Sequence, residues 1–160
     1  MKENKNDIKS ILIEEMKKFK FVYEDTVRFD EVDSIGVAHN VRYLFWLERA
    51  RIEYFGNLGI SINPNTFSSD LPIMVVHNEI DYFSPSHFGD KYKIFSRASF
   101  IKKSSIGFEN IVTLKDDTIL ATAKTIYVYL DKVEKKPSRI PDDIRKLFID
   151  FEGNNLFIKE

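Results

Sequence analysis

The sequence contains no cysteine, which excludes disulfide bonds, cysteine nucleophiles and thiolate metal sites. The three histidines, His39, His77 and His87, lie in separate segments without the spacing of metal ligands, so we expect no metal site. Glycine-rich phosphate loops and the motifs G-x-G-x-x-G, H-E-x-x-H and G-x-S-x-G are also missing. These absences disfavour the common nucleotide-dependent, zinc-dependent and serine-dependent enzymes.

Charge and hydrophobicity exclude other classes. The net charge is −1, and no basic cluster with interleaved aromatic residues is present, so we expect no nucleic-acid partner. No apolar run reaches the ~20 residues that span a bilayer, and the charged N-terminus lacks the apolar core of a signal peptide. We therefore expect a cytoplasmic protein with no membrane span. At 160 residues the chain can bury one substantial core.

Three regions follow from the pattern of the sequence. Residues 1–18 form a predicted amphipathic helix that packs on the domain or on a partner subunit, because apolar side chains recur there at helical spacing. Residues 19–150 form the main domain. Residues 151–160 form a C-terminal tail that we expect to be loosely held.

Within the main domain, alternating apolar residues and intervening turn residues predict strands over 19–29, 71–83, 91–101, 106–114 and 119–130. Short connections make the later strands antiparallel neighbours, and a short helix is predicted to begin at Pro141. The segment TIYVYL, residues 125–130, is apolar on both faces and must be covered on both. A long central helix supplies one cover, and a partner subunit is expected to supply the other.

That central helix is predicted to open near His39 and Asn40, and Asn57 and Gly59 suit its end. A single narrow polar stripe runs along it, with Trp46 intruding, and consists of Arg42, Arg49, Glu53 and Asn57. A helix that is apolar almost all round must be wrapped by other structure. The sequence therefore predicts an α+β domain in which a curved antiparallel sheet wraps around one long helix.

Asp33, in the loop before this helix, has two interpretations. The structural one is a carboxylate that caps the helix or closes an Asx-turn, as loops before helices commonly use. The functional one is a carboxylate held beside the free N–H groups of a helix N-terminus, which could polarise a carbonyl as an oxyanion hole does. The helix dipole would keep Asp33 ionised, so it would act as nucleophile or as a base that orients water.

Two further charged pairs leave alternatives open. Glu48 and Arg51 can pair on the helix, either as an ion pair that sets the register of a dimer or with Glu48 as a substrate contact. Lys102 and Lys103, at a predicted hairpin turn, are either solvated turn residues or a site for the phosphates of a ligand.

Part of the chain resembles the hotdog-fold thioesterases, specifically the group of 4-hydroxybenzoyl-CoA thioesterase and the Tol-Pal-associated acyl-CoA thioesterases. The run R-F-D-E-V-D-S-I-G-V-A-H-N-V-R-Y-L, residues 28–44, resembles the family pattern R-Y-x-D-T-D-x-x-G-V-x-x-N-x-x-Y. The residues F-W-L-E-R-A-R at 45–51 resemble F-E-x-A-R, and those at 79–85 resemble I-D-Y-x-x-P. The resemblance extends over about residues 21–147.

The resemblance implies a hotdog fold, with a sheet of about five strands around one helix, paired into a dimer. The predicted N-terminal helix is extra to this fold, and the expected assembly is a homodimer or homotetramer. It implies hydrolysis of an acyl-CoA thioester without a cofactor other than the coenzyme A of the substrate. The implied catalytic groups are Asp33, the backbone N–H of Asn40, and Tyr43. Candidate substrate-binding residues are Gly36, Val37, His39, Phe45, Trp46, Tyr82, Lys102 and Lys103.

Two departures from the family pattern concern the substrate. Val32 replaces a usual threonine, and Asn40 occupies a position that is often histidine in one branch, while His39 comes one residue earlier. Two alternatives to an acyl-CoA thioesterase therefore stay open: a module that binds acyl-CoA without cleaving it, as a sensor or carrier, and a thioesterase that acts on acyl-carrier protein. A hotdog dehydratase is a weaker alternative, since no histidine–acid pair stands at the expected place.

Overall fold

A computed structural model describes residues 5–160. The helices are α1 (Lys5–Met16), α2 (Arg42–Asn57) and α3 (Asp142–Glu152). The strands are β1 (Phe21–Thr26), β2 (Ile73–Tyr82), β3 (Lys91–Ile101), β4 (Ser105–Leu114), β5 (Ile119–Tyr129) and β6 (Phe157–Ile158). The first four residues of the predicted N-terminal helix lie outside the described residues. None of the helices described is long and apolar enough to cross a membrane.

The strands form one sheet in the order β1-β3-β4-β5-β2, in which all these neighbours are antiparallel. One end of the sheet contains the end of β1, the start of β3 and the end of β2, because Thr26 pairs with Lys91 and Tyr82 with Ala121. We call it the loop end. The other end contains the β3–β4 turn and the start of β2, and we call it the turn end. β2 lies at a free edge of the sheet.

Helix α2 lies against the inner face of the sheet. Its buried side chains recur every three or four residues, the spacing of one helical face, and are Tyr43, Trp46, Leu47, Ala50, Tyr54 and Phe55. The N-terminal half packs in a core cluster with Val27, Tyr92 and Ile94, and the C-terminal half packs in a second cluster with Phe108 and Phe148. The predicted hotdog fold, a sheet around one long helix, is confirmed by this arrangement.

The opposite face of α2 is uncovered in the single chain. Apolar side chains stand partly exposed along it, namely Val41, Leu44, Phe45 and Ile52. The sheet therefore covers only part of the apolar surface from which wrapping was predicted.

The outer face of the sheet is partly covered by α1. Leu12 and Glu15 of this helix, with Phe19, line one cavity with Ile111 and Ala123 of the sheet, and Ile111 is buried. Helix α1 therefore covers part of the outer face beside β4 and the first half of β5, while the cover expected from a partner subunit concerns residues 125–130 and stays a prediction.

The C-terminal tail is bound rather than loosely held, which corrects the prediction for residues 151–160. Phe157 and Ile158 pair in parallel with Phe100 and Ile101 of β3, beyond the start of β1. Leu156 is buried in the core. The Glu160 carboxylate forms ion pairs with Arg139 and Arg145. The partners on β3 are distant along the chain, so local composition gave no sign of them.

Glu152 anchors the start of this tail in the core. It is 1% exposed, and its Oε1 accepts hydrogen bonds from the Tyr54 hydroxyl at 2.5 Å and from the Ala98 N–H at 2.9 Å. Its Oε2 has no partner among the described residues. Burial raises the pKa of Glu152 above its ordinary value of 4.5, and outweighs the lowering effect of these hydrogen bonds and of Arg97 and Lys20.

The raised pKa predicts a specific pH dependence of stability. Above pH 4.5 the unfolded chain loses the Glu152 proton while the folded protein keeps it, so the free energy of unfolding falls as the pH rises toward the folded pKa. The substitution Glu152→Gln resembles the protonated acid and should remove this contribution. We expect Glu152→Gln to gain stability relative to wild type as the pH rises from about 4 to about 8, measured by urea unfolding. Glu53→Gln, at an exposed position of α2, is the control and should follow wild type; a parallel shift in both variants would contradict the prediction.

Candidate active site

The loop between β1 and α2 forms a small hairpin at the loop end of the sheet. Val32 pairs with Ala38, and the His39 N–H donates to the Glu31 carbonyl oxygen at 2.9 Å. The Ala38 N–H donates at 2.8 Å to the carbonyl oxygen of Ser86, which ties the hairpin to the segment after β2. The hairpin is therefore held both by its own backbone hydrogen bonds and by a hydrogen bond to the segment after β2.

Asp33 lies at the start of the turn of this hairpin, and its side chain is exposed. Its Oδ1 accepts hydrogen bonds from the Ile35 N–H at 2.9 Å and from the Val37 N–H at 3.3 Å. These bonds are those of the Asx-turn in the structural interpretation. The second oxygen, Oδ2, accepts no hydrogen bond from any described residue, so it is available to a ligand or to water.

Asn40 lies in the turn that leads into α2, two residues before the first residue of the helix. Its side-chain oxygen accepts a hydrogen bond from the Val41 N–H at 3.0 Å. Its own backbone N–H donates to no acceptor within residues 5–160. An unpaired N–H at the start of a helix can bind an anion or a polarised carbonyl oxygen.

A cavity of about 290 Å³ opens beside this N–H. Its lining comes from the hairpin, from α2 and from the segment after β2, and consists of Val37, Ala38, Asn40, Tyr43, Tyr82, Phe83, Ser84 and Pro85. The Tyr82 hydroxyl donates at 3.0 Å to the carbonyl oxygen of Asn40. This bond fixes the helix entrance against the end of β2.

Tyr43 contributes its ring to the cavity while its hydroxyl is engaged in the core. The hydroxyl lies 3.0 Å from the Ser86 Oγ, and the ring packs edge-on against Tyr82 with 5.2 Å between centroids. Burial raises the pKa of Tyr43, although the hydrogen bond with Ser86 acts in the opposite direction. The hydroxyl is therefore neutral and already paired, which suits a wall of the cavity better than proton transfer.

The structure brings some of the predicted substrate-binding residues together and separates others. Gly36 and His39 lie in the hairpin, Val37 and Tyr82 line the cavity, and Phe45 is exposed on the uncovered face of α2. Trp46 is fully buried, stacks on Tyr92 with 4.3 Å between centroids, and donates its Nε1–H to Glu31. The prediction that Trp46 contacts an acyl group was wrong, because no part of its side chain reaches a surface.

Lys102 and Lys103 lie far from Asp33 within one chain. They occupy the β3–β4 turn at the turn end of the sheet, whereas the Asp33 hairpin is at the loop end. The 11 residues of β3 between these ends span about 33 Å. These lysines therefore belong to the same site as Asp33 only if a second protomer supplies them.

The pairing of Glu48 with Arg51 occurs as predicted. Arg51 Nη2 lies 3.2 Å from Glu48 Oε1, and the Arg51 guanidinium lies over the ring of Tyr127 and donates to its hydroxyl. Glu48 is mostly exposed on the uncovered face of α2. This position is compatible with either of the roles that we considered for the pair.

Two residues of this region were missed by the sequence reasoning. Glu31 is buried and binds Trp46 and Arg49 of α2, and Ser86 fixes both the hairpin and Tyr43. The sequence did contain a signal for Glu31. Trp46 and Arg49 share one stripe of the helix, and an indole N–H beside a guanidinium is a suitable pair of donors for a buried acid. Nothing in the local sequence marked Ser86.

No group of three or more metal-ligating side chains occurs among the residues that the structure describes.

The substitution Gly36→Ala tests whether the turn of the hairpin depends on a left-handed backbone conformation. The Gly36 φ of +78° is in the left-handed region, and an added Cβ would meet no atom within 4 Å, so Gly36→Ala should cost only backbone strain, about 1–2 kcal/mol. Gly56 in α2 also has open space around it but has no such φ, and Gly56→Ala should stabilise the helix by about 0.5–1 kcal/mol. Thermal or urea unfolding measures both changes. Equal effects would show that the turn does not depend on the left-handed conformation.

Comparisons with known proteins agree with this fold. The chain is 27% identical over 129 residues to the acyl-CoA thioesterase YbgC of Haemophilus influenzae, covering 80% of this chain and 93% of the relative. It is 26% identical over 126 residues to a 1,4-dihydroxy-2-naphthoyl-CoA hydrolase of Nostoc punctiforme, covering 78% and 83%.

Solved structures give the same result. A thioesterase of Thermus thermophilus, complexed with coenzyme A and Zn, superposes with a TM-score of 0.73 at 26% identity, covering 86% of this chain and 98% of that one. A DHNA-CoA thioesterase of Staphylococcus aureus superposes with a TM-score of 0.76 at 19% identity, covering 84% and 92%; at that identity the likeness concerns the fold alone. A family model, described as the thioesterase-like superfamily, matches residues 27–148. This protein therefore belongs to the thioesterase-like superfamily of hotdog-fold enzymes.

Proposed function

We propose that the protein hydrolyses an acyl-CoA thioester at the cavity beside Asn40, with Asp33 as the reacting carboxylate. The observation that carries this proposal is the presence of two unused groups on one short segment: the free Oδ2 of Asp33 in the hairpin and, seven residues on, the free N–H of Asn40 at the helix entrance. The names of relatives as acyl-CoA thioesterase and dihydroxynaphthoyl-CoA hydrolase support the same reaction.

In the proposed reaction, the thioester carbonyl oxygen accepts a hydrogen bond from the Asn40 N–H, which stabilises the negative charge of the tetrahedral intermediate. Asp33 acts in one of two ways. As a base it takes a proton from water while the water oxygen bonds to the carbonyl carbon; the C–S bond then breaks and the sulfur receives the proton. As a nucleophile it displaces the thiolate to form an acyl anhydride, which water hydrolyses.

The acyl group would lie against the aromatic part of the cavity, where Tyr43 and Tyr82 meet. From there the uncovered apolar face of α2 continues through Leu44 and Phe45. Both aryl and alkyl groups pack on such surfaces, so the proposal extends to either class of acyl-CoA. The lack of cysteine fits action in the reducing cytoplasm.

We propose that a second copy of the chain completes the site. β2 is an edge strand with a row of exposed apolar side chains, Met74, Val75 and Val76, and the uncovered face of α2 is also apolar. Such an edge is suited to pairing with another strand. If two β2 strands pair antiparallel about a two-fold axis, the loop end of one sheet lies beside the turn end of the other. Lys102 and Lys103 of the second protomer would then lie at the same end of the dimer as Asp33 of the first, where they could bind the phosphates of coenzyme A.

This arrangement predicts the effect of reversing the charge at the turn. Lys102→Glu combined with Lys103→Glu should raise the KM for an acyl-CoA about tenfold or more, because charge-assisted bonds to phosphate are lost. Hydrolysis of the matching N-acetylcysteamine thioester, which lacks the phosphates, should be unchanged. Lys132→Glu, an exposed lysine in a turn after β5, is the charge control. An equal loss with both substrates would contradict a phosphate-binding role.

Asp33 is tested by Asp33→Asn, which keeps the Oδ1 acceptor of the turn and removes only the carboxylate chemistry. We expect normal folding and a fall in kcat of about 10²- to 10⁴-fold, measured by thiol release from short, long and aryl acyl-CoAs. Asp30→Asn removes a nearby charge from a side chain outside the turn and should retain wild-type rates. Full activity of Asp33→Asn would refute the assignment of Asp33.

The second candidate function is a module that binds acyl-CoA without hydrolysing it. The specific observation in its favour is that Asp33 already serves the turn through Oδ1, as a purely structural residue would. Acyl-CoA binding by the wild type without release of thiol would support this function. Hydrolysis of an acyl-carrier-protein thioester, with no reaction on any acyl-CoA, would instead identify the carrier protein as the substrate.

A further inference from the structure

Glu31 contacts both ends of the Asp33 hairpin and also helix α2. Its Oε2 accepts a hydrogen bond from the Arg28 N–H at 2.9 Å, where the loop begins, and its carbonyl oxygen accepts one from the His39 N–H at 2.9 Å, where the loop ends. Its Oε1 accepts from Trp46 Nε1 at 2.9 Å and from Arg49 Nη2 at 2.6 Å. A single residue that is 2% exposed therefore joins the loop to the helix.

The helix side of this contact is rigid. Trp46 is fully buried and stacks on Tyr92 of β3, so the indole N–H has a fixed position. Arg49 is held from a second side, because its Nη1 lies 2.9 Å from Asp25 Oδ2 of β1. Glu31 thus binds to groups that the sheet and the helix hold in place independently of the loop.

The charge of Glu31 is essential to this set of contacts. Burial alone would raise the pKa of Glu31, but the hydrogen bonds from Arg28, Trp46 and Arg49, together with the charge of Arg49, lower it below its ordinary value. The carboxylate accepts on both oxygens. A glutamine accepts on one only, and its NH₂ group would face either the Arg28 N–H or the two donors of α2.

We infer that Glu31 is a positioning residue, whose buried carboxylate fixes the hairpin to α2 and so holds Asp33 and the Asn40 N–H in place relative to each other. Only one residue separates Glu31 from Asp33, and His39, which binds the Glu31 carbonyl oxygen, precedes Asn40 directly. Both proposed reacting groups therefore adjoin a contact made by Glu31. The consequence for catalysis rests on the proposed function of Asp33, whereas the consequence for the loop does not.

The test compares two variants that weaken the same guanidinium contact. Glu31→Gln removes the charge on the loop side of Arg49, and Asp25→Asn removes the charge on the β1 side. Both should lower the free energy of unfolding, because each leaves Arg49 with one carboxylate partner. Asp25 also contacts the Arg28 side chain, which is largely exposed, but it makes no contact with the hairpin residues 31–39.

Two measurements separate positioning from a general loss of stability. The first is amide hydrogen exchange of Asp33, which donates to the Val37 carbonyl oxygen, and of His39; both should exchange about tenfold or more faster in Glu31→Gln than in Asp25→Asn. The second is steady-state kinetics with an acyl-CoA that the wild type hydrolyses. There kcat should fall about 10- to 100-fold in Glu31→Gln, with little change in KM, and stay near wild type in Asp25→Asn.

Equal exchange rates and equal kcat in the two variants would overturn the inference and leave Glu31 as an ordinary buried acid. A failure of the proposed function is recognised separately, by full activity of Asp33→Asn. In that case the exchange measurement alone decides: faster exchange in Glu31→Gln supports a positioning role for the loop, and equal exchange refutes it.

Discussion

The structure depends on the packing of one face of α2 into the inner face of the sheet. Tyr43, Trp46 and Leu47 form the core at the loop end, and Tyr54 and Phe55 form it at the turn end. Because both clusters share a single helix, the entrance of that helix has a fixed place relative to the ends of β1 and β2. The candidate site is built at this entrance, from the hairpin before α2 and the segment after β2.

Each half of α2 is bound to a peripheral segment by a different buried glutamate, Glu31 or Glu152. These two residues differ in their partners. Glu31 meets a guanidinium, an indole and a backbone N–H, and its pKa is lowered. Glu152 meets only the Tyr54 hydroxyl and the Ala98 N–H directly, and burial raises its pKa. Glutamate is therefore held charged at the loop end, as Glu31, and is biased toward its neutral form at the turn end, as Glu152. Charge is retained where a cation compensates for burial, consistent with the cost of an unpaired buried charge.

Much of the fold could be predicted from local pattern. The strand over residues 91–101 was predicted with its observed bounds, since alternation and turn residues define it. The helix begins two or three residues later than predicted and ends at Asn57, one of the two residues expected at its end. The bound tail, the place on the sheet where α1 packs and the burial of Trp46 could not be predicted in this way. Each depends on residues distant in sequence: β6 on β3, α1 on Ile111, and Trp46 on Glu31 and Tyr92.

The same distinction applies to the site. Asp33 was proposed because its place in the loop before a helix is a local feature of the sequence, and Asn40 because residues 28–44 resemble a family pattern. The separation of Lys102 from Asp33 is instead a property of strand direction: Lys102 follows the end of β3, whereas the Asp33 hairpin follows the end of β1, which pairs with the start of β3. The proposed antiparallel pairing of two β2 edges would bring Lys102 of one chain to the same side as Asp33 of the other. The proposed acyl-CoA substrate carries its thioester at one end and its phosphates at the other, so such a pairing would let one substrate contact both groups. The uncovered edge and the uncovered helix face would then be parts of one site that two chains share.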